Sequence, residues 1–346
     1  GTFRDHYAPE ILRDHLYFPD GQILDEDYVY SSFVQTRMYM NHVKCSNCHN
    51  PHSTGLILEG NQLCLQCHEP ATYDTYSHHF HEDALGGQEC ISCHMDGRYY
   101  MVNDYRRDHS FREPRPDLSM AYDVPNACNS CHSDQTAEWS ARWVEKWYGP
   151  DRNRNYADVL SLGSTRDGSA VPALDTLAAS RYQPPIVRAT AIWYLGFIDS
   201  ERSNQAIIRA LGDPDPTVRY VAVEVMQNFP PEMRYQYLAP LLGDPVRSVR
   251  VMAFDALTDI PPERFQASYR QAYDKVFPEY REMLDMRADF PGGQLQLARY
   301  LERRGKEVEA EKALLKAIAQ DSLFNAARIN LAHLYHGQGK PEDAID

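Results

Sequence analysis

The eight cysteines of this chain constrain its fold more than any other feature. All of them lie within the first 131 residues, and they form four pairs with the same internal spacing. In every pair two residues separate the cysteines, and a histidine directly follows the second one. The cysteines are Cys45, Cys48, Cys64, Cys67, Cys90, Cys93, Cys128 and Cys131, and the histidines are His49, His68, His94 and His132. The pattern is therefore a fourfold occurrence of C-x-x-C-H with no cysteine left over.

This pattern is typical of the attachment site of a c-type haem. Each cysteine forms a thioether bond with a vinyl group of the porphyrin, and the histidine ligates the iron. Structural zinc sites use C-x-x-C pairs in twos but do not require the histidine, and a thioredoxin-like redox pair is expected once. A disulfide framework would scatter its cysteines along the chain. The sequence therefore predicts four haem c groups, with the four motif histidines as proximal ligands.

The remaining histidines are concentrated in the same part of the chain. Ten lie outside the motifs, and eight of these fall within residues 1–149. Since an iron with a proximal histidine can take a second axial ligand, eight candidates suffice for bis-histidine ligation of four irons. The best candidates for these distal ligands are, in chain order, His52, His79, His81 and His109. We take His42 as a reserve candidate.

One short run of the sequence reads Ser-His-His-Phe-His and holds three of the extra histidines. In an extended stretch alternate residues point to opposite faces, so His79 and His81 would face the same way. His78 is then favoured as a surface residue. His6 and His15 are also favoured as surface residues, but on a mobile arm they are candidates to ligate an iron in a neighbouring subunit.

Nine short segments carry a resemblance to a known family. They are Tyr28-Val-Tyr, Arg37-Met-Tyr, Cys45-Ser-Asn-Cys-His-Asn-Pro-His, Asn61-Gln-Leu-Cys, His78-His-Phe-His, Cys93-His-Met, Arg106-Arg-Asp-His-Ser-Phe, Pro114-Arg-Pro-Asp-Leu-Ser and Pro125-Asn-Ala-Cys. On these segments the stretch from Cys45 to Trp147 resembles exported multihaem c-type cytochromes with paired C-x-x-C-H motifs, which are often joined to helical repeats. In such relatives a histidine often stands at the positions where this chain has Met40 and Phe18. The resemblance implies electron transfer in the periplasm or outside the cell.

Residues 1–149 show little hydrophobic periodicity and are predicted to form a loop-rich tetrahaem domain. Such a segment does not bury a core of its own, so we expect the four porphyrins to replace the missing apolar interior. Near its end Trp139, Trp143 and Trp147 recur at helical spacing and are expected to cover a haem or the next domain. The dipeptide Gly149-Pro150 then breaks the helix and marks a domain boundary.

Residues 150–265 contain an internal repeat. The dipeptides Val187-Arg188, Val218-Arg219 and Val249-Arg250 are each separated by 31 residues. This pattern resembles short HEAT-like repeats, in which pairs of helices stack into a solenoid. We expect the repeated arginines to bond to neighbouring loops, which is a structural role.

Residues 266–346 are predicted to hold linker helices and then repeats of the tetratricopeptide (TPR) type. Leu297-Ala298 recurs as Leu331-Ala332 after 34 residues, which is the TPR period. The second repeat stops inside its second helix, so we expect that the natural chain continues or that another subunit covers the apolar face. The predicted fold is therefore mainly α, with a loop-rich tetrahaem domain followed by an α-solenoid.

Composition and charge exclude several classes of protein. A hydrophobic fraction of 43% with 24% charged residues is not that of a disordered chain. A net charge of −14 argues against nucleic acid as a partner. No run of about 18 apolar residues occurs, so no membrane span is predicted. Because the chain begins with Gly1 and shows no leader, we expect a signal peptide to have been removed from an exported, periplasmic or extracellular protein.

We expect an electron carrier rather than an enzyme, and we predict no catalytic residue. Its partners would be redox proteins or other cytochromes. The helical repeats are expected to support self-association, including a subunit role in an extracellular filament. The alternative is a periplasmic redox enzyme that acts on a small nitrogen or sulfur compound at one open haem.

Overall fold

The computed structural model describes residues 5, 7–8, 10–25, 27–82, 86–340 and 342 of the chain. Within these residues the protein is mainly helical, with one sheet of two strands, which is the mainly α fold predicted from the sequence. The chain divides into two compact units. We call Pro9–Val221 the amino-terminal unit, and Gly1–Ala8 with Ala222–Asp346 the carboxy-terminal unit. The predicted domain boundaries at residues 149 and 265 stay predictions.

Short helices joined by loops make up the first part of the amino-terminal unit. They are α1 (Val29–Phe33), α2 (Arg37–Met40), α3 (Gln62–Leu65), α4 (Pro70–Tyr73), α5 (Tyr76–His79), α6 (Cys90–His94), α7 (Pro116–Tyr122), α8 (Ala127–Cys131) and α9 (Ala137–Tyr148). A 3-10 turn covers Cys45–Asn47. The antiparallel strands β1 (Gly97–Tyr100) and β2 (Asp104–Arg107) form a hairpin between α6 and α7.

This first part has almost no apolar core of its own. None of the described residues between Arg37 and His109 is buried. Up to Tyr148, the buried aliphatic and aromatic side chains of the described residues are Ile11, Leu12, Tyr17, Ile23, Val34, Leu118, Val124 and Val144. Ordering a chain costs conformational entropy, which is normally offset by burial of apolar surface. The stretch that carries the cysteine motifs therefore needs another apolar body to pack against.

The second part of the amino-terminal unit is a stack of longer helices. They are α10 (Ala157–Ser164), α11 (Val171–Ala179), α12 (Pro185–Leu195), α13 (Glu201–Ala210) and α14 (Pro216–Met226), and the unit boundary falls inside α14. Helix α11 packs against α10, α12 and α13. Their contact surfaces bury Leu174, Ile186, Ile192, Leu195 and Ile207 almost completely. This apolar interior is what the preceding part lacks.

Polar contacts join the two parts of the amino-terminal unit. The backbone N–H of Leu12 donates to the hydroxyl of Thr190 in α12 at 3.0 Å. The Tyr122 hydroxyl donates to the Asp158 carboxylate in α10 at 2.8 Å. The cysteine-bearing part and the first helical repeats are thus one packed body.

The carboxy-terminal unit is also built from packed helices. Its helices are α15 (Pro231–Leu238), α16 (Arg247–Ala256), α17 (Ala267–Arg287), α18 (Pro291–Arg303), α19 (Glu307–Gln320) and α20 (Asn325–Gly337). Phe254 and Tyr280 are buried at its centre, with ring centroids 4.9 Å apart. Helix α19 packs against both α18 and α20, while the assignment of these helices to the TPR class stays a prediction. Among the described residues, no helix combines the length and the apolar character needed to cross a membrane.

Two of the three repeated arginines bond to the loops that precede their own helices, whereas Arg188 pairs with the carboxylate of Asp213 in the next repeat. Arg219 donates to the carbonyl oxygens of Asp213 and Pro214 at 2.8 and 3.1 Å. One repeat later, Arg250 donates to the carbonyl oxygens of Asp244 and Pro245 at 3.2 and 3.0 Å. The same bond in successive repeats explains why arginine recurs with the period of the fold.

Candidate haem-binding site

Each C-x-x-C-H sequence forms one helical turn. We call residues 45–49, 64–68, 90–94 and 128–132 the first, second, third and fourth motif. The backbone N–H of His49 donates to the carbonyl of Cys45 at 2.8 Å, and that of His132 donates to Cys128 at the same distance. Residues three and four positions apart share one face of a helix. Both thiols and the imidazole of a motif therefore face one side, as attachment to a single porphyrin requires.

The thiols of neighbouring motifs lie close together. Burial raises the pKa of the Cys48 thiol, and nearby Cys67 of the second motif raises it further. A hydrogen bond between the thiols of Cys64 and Cys90 raises the pKa of Cys64 and lowers that of Cys90 to about 7. The second motif therefore lies next to both the first and the third.

The third motif is in turn adjacent to the fourth. Burial, followed by the nearby Cys128 and Cys131, raises the pKa of the Cys93 thiol to about 11. Helices α6 and α8, which carry the two motifs, pack against each other. The Ser130 hydroxyl of α8 also donates to the carboxylate of Asp96, two residues after the third motif. The four motifs thus follow one another in space in the same order as in the sequence.

Hydrogen bonds from side chains hold this order. The Gln66 amide of the second motif donates to the carbonyl of Asn47 in the first at 3.2 Å. The Asn61 side chain accepts from the backbone N–H of Cys90 at 2.9 Å, and donates to the carbonyl of Gln88 at 3.1 Å. These bonds connect the first motif to the second, and the segment just before the second motif to the start of the third.

Three of the four motif histidines face a second histidine. The ring centroids of His49 and His109 are 6.3 Å apart, with 27° between the ring planes. Those of His94 and His78 are 6.2 Å apart at 15°. Those of His132 and His81 are 6.3 Å apart at 38°.

This spacing fits an iron between the two rings. A metal–imidazole bond is about 2 Å long and the ligating nitrogen lies about 1 Å from the ring centre, so two axial rings should be about 6 Å apart. Direct contacts between aromatic rings also fall at centroid distances of about 4.5–7 Å, so what distinguishes these pairs is that the same spacing recurs opposite three motif histidines. The three pairs and the missing apolar core therefore both fit a haem at each of these positions.

Backbone carbonyls fix the orientation of several of these imidazoles. The Nδ1 atoms of His49 and His94 lie 2.7 Å from the carbonyl oxygens of Thr54 and Arg112. Nδ1 of His109 lies 2.9 Å from the carbonyl of Arg107, and Nδ1 of His81 contacts that of His79. A histidine that ligates metal normally donates its other N–H to such an acceptor. Since the carbonyl accepts a hydrogen bond from Nδ1–H, Nε2 is left as the ligating nitrogen.

From the sequence, His78 is expected to be a surface residue and not a distal ligand. It lies in α5, and burial lowers the pKa of its imidazole, with further lowering by His94 and His79. A neutral imidazole is the form that binds a metal. The run is helical rather than extended, so the alternation assumed from the sequence does not apply. At Phe80 the backbone turns into the left-handed region, with φ 55°, before His81.

Four other candidate ligands are not placed opposite a motif histidine among the described residues. They are His15, His42, His52 and His79. The Nδ1 atom of His79 accepts from the backbone N–H of His81 at 3.2 Å. His6, the remaining candidate, lies outside the described residues.

His68 of the second motif differs from the other three motif histidines. It is exposed, and the ring beside it is that of Tyr73, edge-on at 5.6 Å. Among the described residues, no second histidine ring stands at the spacing of the three pairs. Within the described part of the chain, the second motif thus shows one candidate axial ligand where the others show two.

Aromatic side chains of α9 cover the fourth motif. Trp139 lies 5.0 Å from the ring of His132, and Trp143 continues the row 6.0 Å from Trp139. Trp147 follows at 5.5 Å and stacks in parallel on Phe80 at 4.8 Å. The helix therefore supplies an apolar wall beside the ligands of the fourth motif.

Comparison with known families agrees with two of these features. A family described as a doubled CXXCH motif matches residues 40–73, which include the first and second motifs. A family described as HEAT repeats matches residues 149–227 and 173–258. Neither the curated proteins nor the solved structures include a match to the chain. The predictions of covalent haem c binding and of HEAT repeats are confirmed, while the number of haems, export and the TPR repeats stay predictions.

Proposed function

We propose that the chain is a tetrahaem electron carrier. The observation that carries this proposal is the set of three histidine pairs, each spaced for an iron and each anchored by a C-x-x-C-H turn. We name the haems first to fourth after their motifs. His49 and His109 ligate the first haem, His94 and His78 the third, and His132 and His81 the fourth. Bis-histidine ligation leaves an iron no site for substrate, which suits electron transfer rather than catalysis.

The haems form a row in which electrons move between neighbours. Contacts between successive motifs support this, because Gln66 of the second motif bonds to Asn47 of the first, and the backbone N–H of Cys90 in the third bonds to Asn61 beside the second. Neighbouring porphyrins attached at such short separation exchange electrons rapidly. The first and fourth haems are then the ends of the row, where redox partners or other cytochromes donate and accept electrons.

Intact mass spectrometry and potentiometry test the proposal together. The mature protein should carry the mass of four haems, and dithionite should reduce all of them. A preparation with fewer than four haems from cells that mature cytochromes c would contradict the stoichiometry. Haems that reduce but exchange no electrons with a second cytochrome would contradict the carrier role.

Self-association into a filament is the form of the carrier that we favour. Solenoids of helical repeats commonly bind other proteins, and His68 shows a single axial ligand among the described residues. A histidine of a second copy would complete the iron of the second haem. His15 suits this because its side chain is 66% exposed, and His6 is the other candidate.

Electron microscopy and spin state measured on the same samples test this assembly. Filaments should form as the protein is concentrated, and the high-spin ferric signal should fall in parallel. Isolated particles at all concentrations would overturn the filament. A high-spin signal unchanged by assembly would overturn the shared ligand.

Export is part of the same proposal, to the periplasm or the cell surface. Covalently attached haem remains bound when the protein is diluted outside the cell, which suits this location. Fractionation of the native cells should recover the haem-stained protein outside the cytoplasm. Recovery in the cytoplasm with haem attached would contradict it.

The second candidate function is a redox enzyme that acts on a small nitrogen or sulfur compound. The same observation at His68 favours it, because an iron with one protein ligand can bind substrate at its sixth position. In that case the high-spin signal persists at every protein concentration. Added nitrite or sulfite changes this signal, and the reduced protein consumes the compound. Absence of any spectral change with either compound would exclude this candidate.

A further inference from the structure

Two hydrogen bonds connect His94 to Arg112, and one of them is made by the imidazole. Its Nδ1 lies 2.7 Å from the carbonyl oxygen of Arg112, and the backbone N–H of Arg112 donates to the carbonyl of His94 at 3.0 Å. Ring and acceptor are therefore held in one fixed relation. The position of Arg112 therefore determines the orientation of the His94 ring.

The side chain of Arg112 is itself fixed from several directions. It is largely buried, with 19% of its side chain exposed. Its guanidinium donates to Gln35 Oε1 at 3.0 Å, to the Asp108 carboxylate at 3.4 Å and to the carbonyl of Asp20. A planar guanidinium that uses several donors at once has little freedom to rotate.

Gln35 connects this arginine to the helical repeats. Its amide donates to the carbonyls of Gly21 and Ser31 at 3.0 and 3.1 Å, and its Oε1 accepts from Arg112. The same Oε1 is 2.9 Å from the hydroxyl of Tyr156, which is also 2.7 Å from the carbonyl of Asp20. The Gln35 amide therefore has partners for both its nitrogen and its oxygen.

Tyr156 belongs to the repeats by its position, because it is the N-cap residue of α10. The packing around Gly21 excludes a larger residue, because its φ is +86° and a Cβ there would lie 2.7 Å from the Tyr156 hydroxyl. The first helical repeat thus contributes a hydroxyl to a packed polar network that ends on a haem ligand.

We propose that Arg112, Gln35 and Tyr156 are positioning residues that fix the orientation and basicity of His94 as a ligand of the third haem. The proposal rests on the assignment of His94 and His78 to that haem. A strong bond from Nδ1–H to a carbonyl makes an imidazole a more basic ligand, which stabilises ferric iron. Loosening the network should therefore raise the midpoint potential of the third haem and turn the His94 ring away from its near-parallel arrangement with His78.

Two substitutions that keep the net charge test the proposal. Tyr156→Phe removes only the hydroxyl, and Arg112→Lys keeps the positive charge but loses the planar fork. The matched control is Tyr122→Phe. It removes a hydroxyl that bonds to Asp158 of α10, the helix that Tyr156 caps, but that is not part of the network on His94. All are made in the full chain and compared by low-temperature electron paramagnetic resonance with potentiometric titration. Because the His78→Ala protein loses the low-spin signal of the third haem, it identifies that signal.

The expected result is a shifted low-spin signal and a raised potential for one haem in Tyr156→Phe and Arg112→Lys, with Tyr122→Phe unchanged. If both variants lower the unfolding temperature but leave every haem signal in place, the residues are only structural and the inference is wrong. If the wild type lacks a bis-histidine third haem, the proposed function itself fails, which is a separate result.

Discussion

The two adjacent histidines of α5 offer the sharpest test of the ligand assignment. The ring of His78 stands 6.2 Å from that of His94, whereas Nδ1 of His79 accepts a hydrogen bond from the backbone of His81. Replacing each by alanine removes the same imidazole from neighbouring positions of one helix. His79→Ala is thus a matched control for His78→Ala in composition, charge and helix position.

The expected magnitude follows from the geometry. His78 belongs to one pair only, so its loss should convert one of the four irons from low-spin to high-spin and leave the other three unchanged. The helix itself should persist, because alanine favours helix and Tyr148 bonds to the backbone carbonyl at position 78 rather than to the imidazole. His79→Ala should convert none.

Integrated electron paramagnetic resonance of the ferric protein measures this fraction. Added imidazole should return the His78→Ala protein to the low-spin state, which shows that the site is open rather than collapsed. A high-spin gain in His79→Ala with none in His78→Ala would refute the assignment and the spacing argument together.

Three further substitutions test other parts of the structure. Gly87→Ala places a Cβ 2.6 Å from the His81 ring, so the low-spin signal of the fourth haem should change, and an unchanged spectrum would contradict the position of that ring. Burial is the largest influence on Asp259 and would raise its pKa, but the hydrogen bond and the positive charge of Arg234, together with smaller contributions, outweigh it and lower the pKa below the ordinary 3.8. Asp259→Asn should therefore cost about 1 kcal/mol of unfolding free energy at pH 7. This contribution should be fully present above pH 3.8 and disappear as the pH falls through the lower pKa of the folded state. Denaturant unfolding at several pH values measures it, and a loss of stability that does not depend on pH would be contrary evidence. Phe254→Ala should cost about 3–5 kcal/mol in the carboxy-terminal unit, measured by the same unfolding, and a loss below about 1 kcal/mol would show that this ring is not central to the core.

Much of the architecture is local and could be predicted from the sequence. A C-x-x-C-H segment needs only one helical turn to place both thiols and the imidazole on one face, as Cys128 and His132 show. The HEAT repeats were also predictable, because Arg219 and Arg250 repeat the same bonds to their own preceding loops. In both cases the interacting residues are close together in the chain.

The pairing of the histidines is not local, and the sequence spacing does not predict it. His109 lies 60 residues after His49, and nothing in the spacing says which motif it faces. His78 and His79 are neighbours of the same chemical type, so composition does not separate them. The difference arises because α5 is helical and Phe80 then adopts a left-handed conformation.

By itself the sequence determined the covalent chemistry of the cysteines and the periodic stacking of the repeats, since each depends on contacts within a turn or between successive repeats. Only the tertiary structure decided which histidine stands opposite His94, and that the carbonyl behind that ring is held by Gln35 and Tyr156. Those contacts join segments far apart in the chain. Their geometry depends on how the loops pack together, which residue spacing does not encode.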